Sequence, residues 1–149
     1  MKVATEAQSN KEVWIKPAEF KLPQGLIGFP DVTDFELLAN TDELPFMWIR
    51  SIERHEVGFI VIEPSEILDS YEVEIPDDDI AALDIKSETD TLVLNIVTLK
   101  DGDPIESATV NLIGPIVLNR HTMEGKQVVI LNNHKFSARH PIMEGVEEN

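Results

Sequence analysis

The chain has no cysteine among its 149 residues, which excludes disulfides, thiolate metal sites and a cysteine nucleophile. Cations are scarce as well. Twelve Lys and Arg stand against 28 Asp and Glu, a formal charge of −16, so contact with nucleic acid would meet phosphate repulsion in place of counterion release. No direct nucleic-acid partner is expected. A basic protein is the complementary partner, because opposite fields accelerate encounter and suppress wrong partners. Long apolar runs are also missing. No segment approaches the roughly 18 apolar residues of a membrane span, and Met1 to Glu12 carries charged and amide side chains where a secretory leader would be apolar. The expectation is a cytoplasmic protein without membrane contact.

Catalytic and metal-binding motifs are absent too. His55, His121, His134 and His140 lack the spacing of a zinc protease and lie in polar surroundings, so they read as surface or turn residues. Ser51, Ser65, Ser70, Ser87, Ser107 and Ser137 lack a Gly-x-Ser-x-Gly elbow. Asp77-Asp78-Asp79 points three carboxylates in different directions, without the alternating ligands of a calcium loop. A solvated helix start explains it better. Gly25-Leu26-Ile27-Gly28 has the spacing of an RNA-clamping loop but no basic residue, so its glycines read as turn positions. No cofactor, no metal and no enzymatic activity are expected.

What the chain does have is strand chemistry. Phe35 to Leu38, Phe46 to Ile52 and Gly58 to Ile62 are short apolar runs separated by polar links, the pattern of antiparallel meanders. Leu92 to Leu99 is apolar at both parities, which predicts a central strand covered on both faces. Asp101-Gly102-Asp103-Pro104 is a turn. From Ala108 to Ile130 two strands are predicted, bent at Gly114-Pro115, with a hairpin loop at His121 to Gly125 and Val128 to Ile130 in the returning strand. A helix is predicted to start at Pro76-Asp77-Asp78-Asp79, with Ile80 and Leu83 on its apolar edge, and a brief helical turn at Pro64 to Leu68. The fold class is therefore mostly β: a small single-domain antiparallel β-barrel or sandwich with one or two short helices. Residues 1–10 are expected to be a mobile start, 11–142 the domain and 143–149 an acidic mobile tail.

Some polar and aromatic residues exceed what strands need. In Pro45-Phe46-Met47-Trp48-Ile49, alternation sends Phe46 and Trp48 to one face and Met47 and Ile49 to the other. Trp48 is read as core, while Met47 is open to an interface role. Asn111 is read as a structural bridge at the Gly114-Pro115 bend, and Asn119 with Arg120 as recognition residues.

Thr109-Val110-Asn111-Leu112, Pro115 to Arg120 and Gly125-Lys126-Gln127-Val128-Val129 together resemble the signature of the flagellar assembly factor family FliW. The resemblance continues upstream through Leu26-Ile27-Gly28-Phe29-Pro30-Asp31, Phe35 to Leu38, Pro45 to Ile52, Phe59 to Pro64 and Tyr71, and closes at Arg139-His140-Pro141-Ile142. It covers roughly Phe20 to Ile142 and implies a small β-barrel-like fold. It further implies a partner switch: binding to flagellin, and to the RNA-binding repressor CsrA, whose antagonism, noncompetitive with RNA, frees flagellin mRNA for translation. A dedicated acidic chaperone of flagellin without a CsrA role is the alternative. On charge alone, Glu72, Glu74, Asp77, Asp78 and Asp79 are expected to form the face offered to CsrA. With no coiled-coil heptad, a monomer is expected.

Overall fold

The computed structural model describes residues 1–4, 18–66, 68, 70–100 and 102–142. The strands along the chain are β1 (Lys2–Ala4), β2 (Ala18–Lys21), β3 (Asp34–Ala39), β4 (Phe46–Ser51), β5 (Gly58–Ile62) and β6 (Glu72–Glu74). A short helix α1 (Asp77–Ala82) follows, then β7 (Thr91–Thr98), β8 (Thr109–Val110), β9 (Ile116–Asn119), β10 (Glu124–Gln127) and β11 (His140–Pro141). A 3₁₀ turn at Pro64–Glu66 fulfils the expected brief helical turn.

Strands β7, β5, β4, β3, β2, β10 and β9 follow one another in hydrogen-bonded order, and β9 returns to β7, so seven strands close into a barrel. Closure removes the bare edges that an open sheet would present. Every seam is antiparallel except one: β10 meets β2 in parallel, through the single register pair Glu124 and Lys21. The pair β8 and β11 extends from β7 as a wing outside the ring, while β1 and β6 form a separate two-stranded ribbon. The expected mostly-β barrel is what the chain forms.

Two apolar cores share β7. Leu92 and Leu94 point into the barrel, where they join Phe20, Phe35, Leu37, Ile49, Val61, Ile116 and Leu118. The rings of Phe20 and Phe35 stack there with centroids 5.6 Å apart. Val93 and Val97 point the other way, into a second core with Val3, Tyr71, Val73, Ile75, Val110, Leu112, Val117 and Ile130. That two-sided burial is why β7 carries apolar residues at both parities. Asn95 sits on the second face, and its Nδ2 donates to the Asn111 carbonyl at 2.8 Å and to the Tyr71 hydroxyl at 3.3 Å.

Three local expectations change. Val3 is 1% exposed and β1 pairs with β6, so residues 1–4 are not a mobile start; Val3 has an apolar core to enter. Residues 5–10 and the acidic tail 143–149 lie outside the described residues, as do the apolar positions Val13, Trp14 and Ile15. The returning hairpin strand is Glu124–Gln127, not Val128 to Ile130. A Cβ at Gly125 would lie 2.4 Å from the Val117 carbonyl oxygen, so only glycine allows this pairing. Last, Met47 is buried in the barrel and Trp48 is 43% exposed on its outer wall, reversing the sequence reading. The parity was right, but which parity faces inward was not visible from the run itself.

The remaining turns behave as read. Gly25 and Gly28 have positive φ of 69° and 91°, and Gly102 has 85°. At the Gly114-Pro115 bend, the Asn111 carboxamide oxygen accepts the N–H groups of Ile113 and Gly114, each at 3.0 Å. Asn111 is the structural bridge expected.

Candidate functional site

The second core determines where the acidic residues go. On β6 the side chain of Val73 is fully buried, and the period of two therefore turns Glu72 and Glu74 outward together. β6 is held on both edges. Lys2 and Val3 pair with Glu74 and Val73 on one side. On the other, the Glu74 N–H donates to the Asn132 carboxamide oxygen at 3.0 Å, the Asn132 Nδ2 donates to the Glu72 carbonyl at 3.0 Å, and the Leu131 N–H donates to the Glu74 carbonyl at 2.8 Å. Ile75 then returns to the core and Pro76 opens α1, whose first turn exposes Asp77 and Asp78. Carboxylates there also favour the positive end of the short helix.

A cleft of about 520 Å³ runs between these elements, lined by Glu74, Asp77, Asp78, Lys2, Pro76 and Leu131 among others. Leu131 is 56% exposed. It follows from an alternation inside an all-apolar run: Val128 and Ile130 are buried, Val129 and Leu131 exposed. Sequence reasoning missed Leu131 because such a run does not reveal which parity faces out. Lys2 lies 3.8 Å from Glu74, a loose ion pair that offsets only part of the local charge. The arrangement offers an apolar anchor rimmed by carboxylates.

Of the residues expected at a partner surface, Glu74, Asp77 and Asp78 line this cleft together, and Glu72 is exposed on the same face of β6 outside its lining. The others do neither. Asp79 is 8% exposed and turned inward, where its carboxylate takes the Lys126 ammonium at 2.6 Å. Asn119 is 2% exposed and structural: its Nδ2 donates to the carbonyls of Leu83 and Asp84, and its Oδ1 accepts the N–H groups of His121 and Thr122. Its recognition role is withdrawn, since none of its capacity is left for a partner. Met47 is likewise removed by burial. Arg120 is half-buried, donates through Nε to the Thr91 carbonyl at 2.9 Å, and does not line the acidic cleft.

On the outer barrel wall Trp48 stands in register between Leu38 of β3 and Ile60 of β5. Ile60 in turn faces Val97 of β7, so an apolar row leaves the second core and reaches solvent at the tryptophan. His121 lies at the surface, 2.9 Å from Asp90. Backbone N–H groups of Lys86 and Ser87, with His121, hold the Asp90 carboxyl below its usual range. His55 and His134 are exposed, while His140 is half-buried on β11. Among the described residues no three His, Asp or Glu side chains are grouped to hold a metal ion, and no helix is long and apolar enough to cross a membrane.

A seven-stranded closed barrel carrying a ribbon-and-helix cap, with acids exposed on that cap, defines the class as a small closed β-barrel protein. The family model for FliW protein matches residues 2–142, and the chain belongs to the FliW family. Among curated relatives, the flagellar assembly factor FliW of Clostridium novyi is 43% identical over 129 residues, covering 86% of this chain and 87% of that one. That of Natranaerobius thermophilus is 37% identical over 120 residues, 80% of this chain and 78% of its own. That of Clostridioides difficile is 36% identical over 124 residues, 83% of this chain and 93% of its own. A crystal structure of the flagellar assembly factor FliW superposes with a TM-score of 0.75 at 33% identity, covering 95% of this chain and 96% of that chain.

Proposed function

We propose that this protein is a partner-switching regulator of flagellar assembly, which binds flagellin and antagonises CsrA so that flagellin mRNA is released for translation. Membership of the FliW family supports the flagellar setting. The observation that carries the CsrA half is the cap itself: Glu74, Asp77 and Asp78 gathered beside exposed Leu131, with Glu72 turned outward on the same strand face as Glu74. A basic RNA-binding protein is the partner such a face suits, since the rim carboxylates steer encounter and the leucine gives an apolar contact on arrival. Bound there, the acidic body excludes RNA by repulsion without occupying the RNA site, a noncompetitive mode. The switch works by two competing binding equilibria. Free flagellin takes up the regulator and restores repression, and secretion of flagellin frees the regulator again. The acting species is a cytoplasmic monomer.

The test is a three-component titration. The protein is added to CsrA bound to labelled flagellin leader RNA, and flagellin is added last. RNA is expected to leave in the first step and return in the second. A quadruple variant E72Q/E74Q/D77N/D78N is expected to slow association with CsrA and flatten its salt dependence. RNA that stays bound throughout would refute the regulatory reading, leaving a flagellin chaperone as the surviving one.

A further inference from the structure

On a different part of the molecule, a larger cleft of about 800 Å³ opens beside the barrel wall, and it shares no lining residue with the acidic one. Its floor is apolar, made by Leu26, Phe59 of β5 and Ile96 of β7. Ile27 stands at its rim, 71% exposed. The side of the cleft is the wing: Thr98 of β7 and Thr109 of β8 are direct cross-strand partners and both line it. Asn111 adds a donor, because its Oδ1 is engaged by Ile113 and Gly114, whereas its Nδ2 donates to no protein group among the described residues.

The charge of this cleft runs against the rest of the chain. Lys2, Lys21, Arg50, Arg54, Lys86 and Lys126 each meet a carboxylate oxygen at 2.6 to 3.8 Å. With acids outnumbering bases 28 to 12, that is the commoner fate of a cation here; Arg120 and Lys135 also meet no carboxylate among the described residues, and neither lines this cleft. Lys100 and Arg139 both line the cleft, are exposed, and meet no carboxylate among the described residues. Among the described residues Asp103 is the one acid on the lining. A simple anion would leave the apolar floor uncovered, and a purely apolar ligand would leave both cations unused. Hydroxyl and amide donors set along two neighbouring strands suit the carbonyls of a polypeptide.

We propose that this cleft docks a peptide segment of a partner protein in which apolar side chains alternate with carboxylates. The apolar side chains cover Phe59, Ile96 and Ile27. Thr98, Thr109 and Asn111 donate to its backbone, and Lys100 with Arg139 take its acids. The proposal stands apart from the acidic-cap reading, since the two clefts call for partners of opposite charge.

The probe is a fluorescein-labelled peptide of repeated Gly-Leu-Glu, with Gly-Leu-Lys and Gly-Leu-Gln repeats as controls, followed by anisotropy at low salt. The whole-molecule field favours the lysine peptide, so preference for the glutamate peptide can come only from a local reversal of charge. The expected result is saturable binding of the glutamate peptide. Affinity should fall about tenfold or more in K100E/R139E, and in the parent protein the amide shifts caused by adding the peptide should centre on the cleft, at Ile27, Phe59, Ile96, Thr98, Thr109 and Asn111. Both substituted residues are exposed, and an unchanged melting curve verifies the fold. Equal binding of all three peptides, or unchanged affinity in the double variant, would overturn the proposal. So would binding seen only after residues 143–149 are removed, which would make the chain's own acidic end the occupant.

Discussion

The Lys126 ammonium lies 2.6 Å from the Asp79 carboxylate, joining barrel strand β10 to helix α1. Their side chains are 32% and 12% exposed, so the pair is screened less than the other ion pairs of this surface. Removing one member strands the other in a partly dry site. D79A is expected to cost about 1–3 kcal/mol, below the cost for a fully buried pair because Lys126 can reach water. K126M should cost more than D79A, since it strands the more buried carboxylate, whereas the Lys126 ammonium left by D79A can swing out to water. Urea unfolding of both variants checks the order.

Asn119 makes four hydrogen bonds from a buried position, two as donor and two as acceptor. N119A is expected to cost about 2–4 kcal/mol, because carbonyls of Leu83 and Asp84 and the N–H groups beyond β9 lose partners away from water. N119D should be worse, since a carboxylate replaces the donor facing two carbonyls. If Asn119 were instead a contact residue, either variant would weaken partner binding while leaving the urea midpoint unchanged.

Tyr71 is fully buried, donates its hydroxyl to the Leu112 carbonyl, and meets Phe136 edge-on with centroids 4.9 Å apart. Burial raises its pKa above the usual 10.0, and the hydrogen bond from Asn95 opposes this in part. The folded state therefore keeps the proton where the unfolded state loses it. The stabilisation is whole below the usual tyrosine value and is lost as pH climbs past it toward the raised folded value. Y71F is expected to cost about 1–2 kcal/mol at neutral pH and to lose less stability than the parent between about pH 8 and pH 11. Urea midpoints across that range decide it.

Met47 and Trp48 are adjacent on β4 and face opposite ways, 8% and 43% exposed. M47A leaves a void in the barrel and is expected to cost about 2–4 kcal/mol. W48A removes only a cross-strand contact with Leu38 and Ile60, worth about 1 kcal/mol. Thermal melts of the two should separate clearly, and a larger loss in W48A would contradict the inside-outside assignment.

Strands, turns and the helix start were legible because each has a local cause. The Pro76 start, the glycines at positive φ and the two-sided burial of β7 all appear in short windows of sequence. The direction each strand faces was not. Deciding between Met47 and Trp48, or between Leu131 and Ile130, needs the neighbouring strand, and no alternation within one apolar run supplies it. The acidic surface was partly legible for the same reason. Glu72, Glu74, Asp77 and Asp78 emerged from charge alone, but Asp79 was lost to Lys126, 47 positions along the chain. Asn119 was misread because its carbonyl partners, Leu83 and Asp84, belong to a segment that only folding brings near. The unpaired cations of the larger cleft were invisible for a related reason, since being unpaired is a property of the folded surface.

The parallel seam between β10 and β2 rests on one register pair, and beside it the Lys21 N–H reaches the Met123 carbonyl at 2.9 Å. Every other junction of the ring is a longer antiparallel ladder, so this is where the barrel unzips first, and amide hydrogen exchange should report it as the fastest-opening junction of the ring. Once parted, β2 and β10 become two bare edges of an open sheet able to accept strands from another copy. The shortest contact in the ring thus guards the molecule against polymerisation.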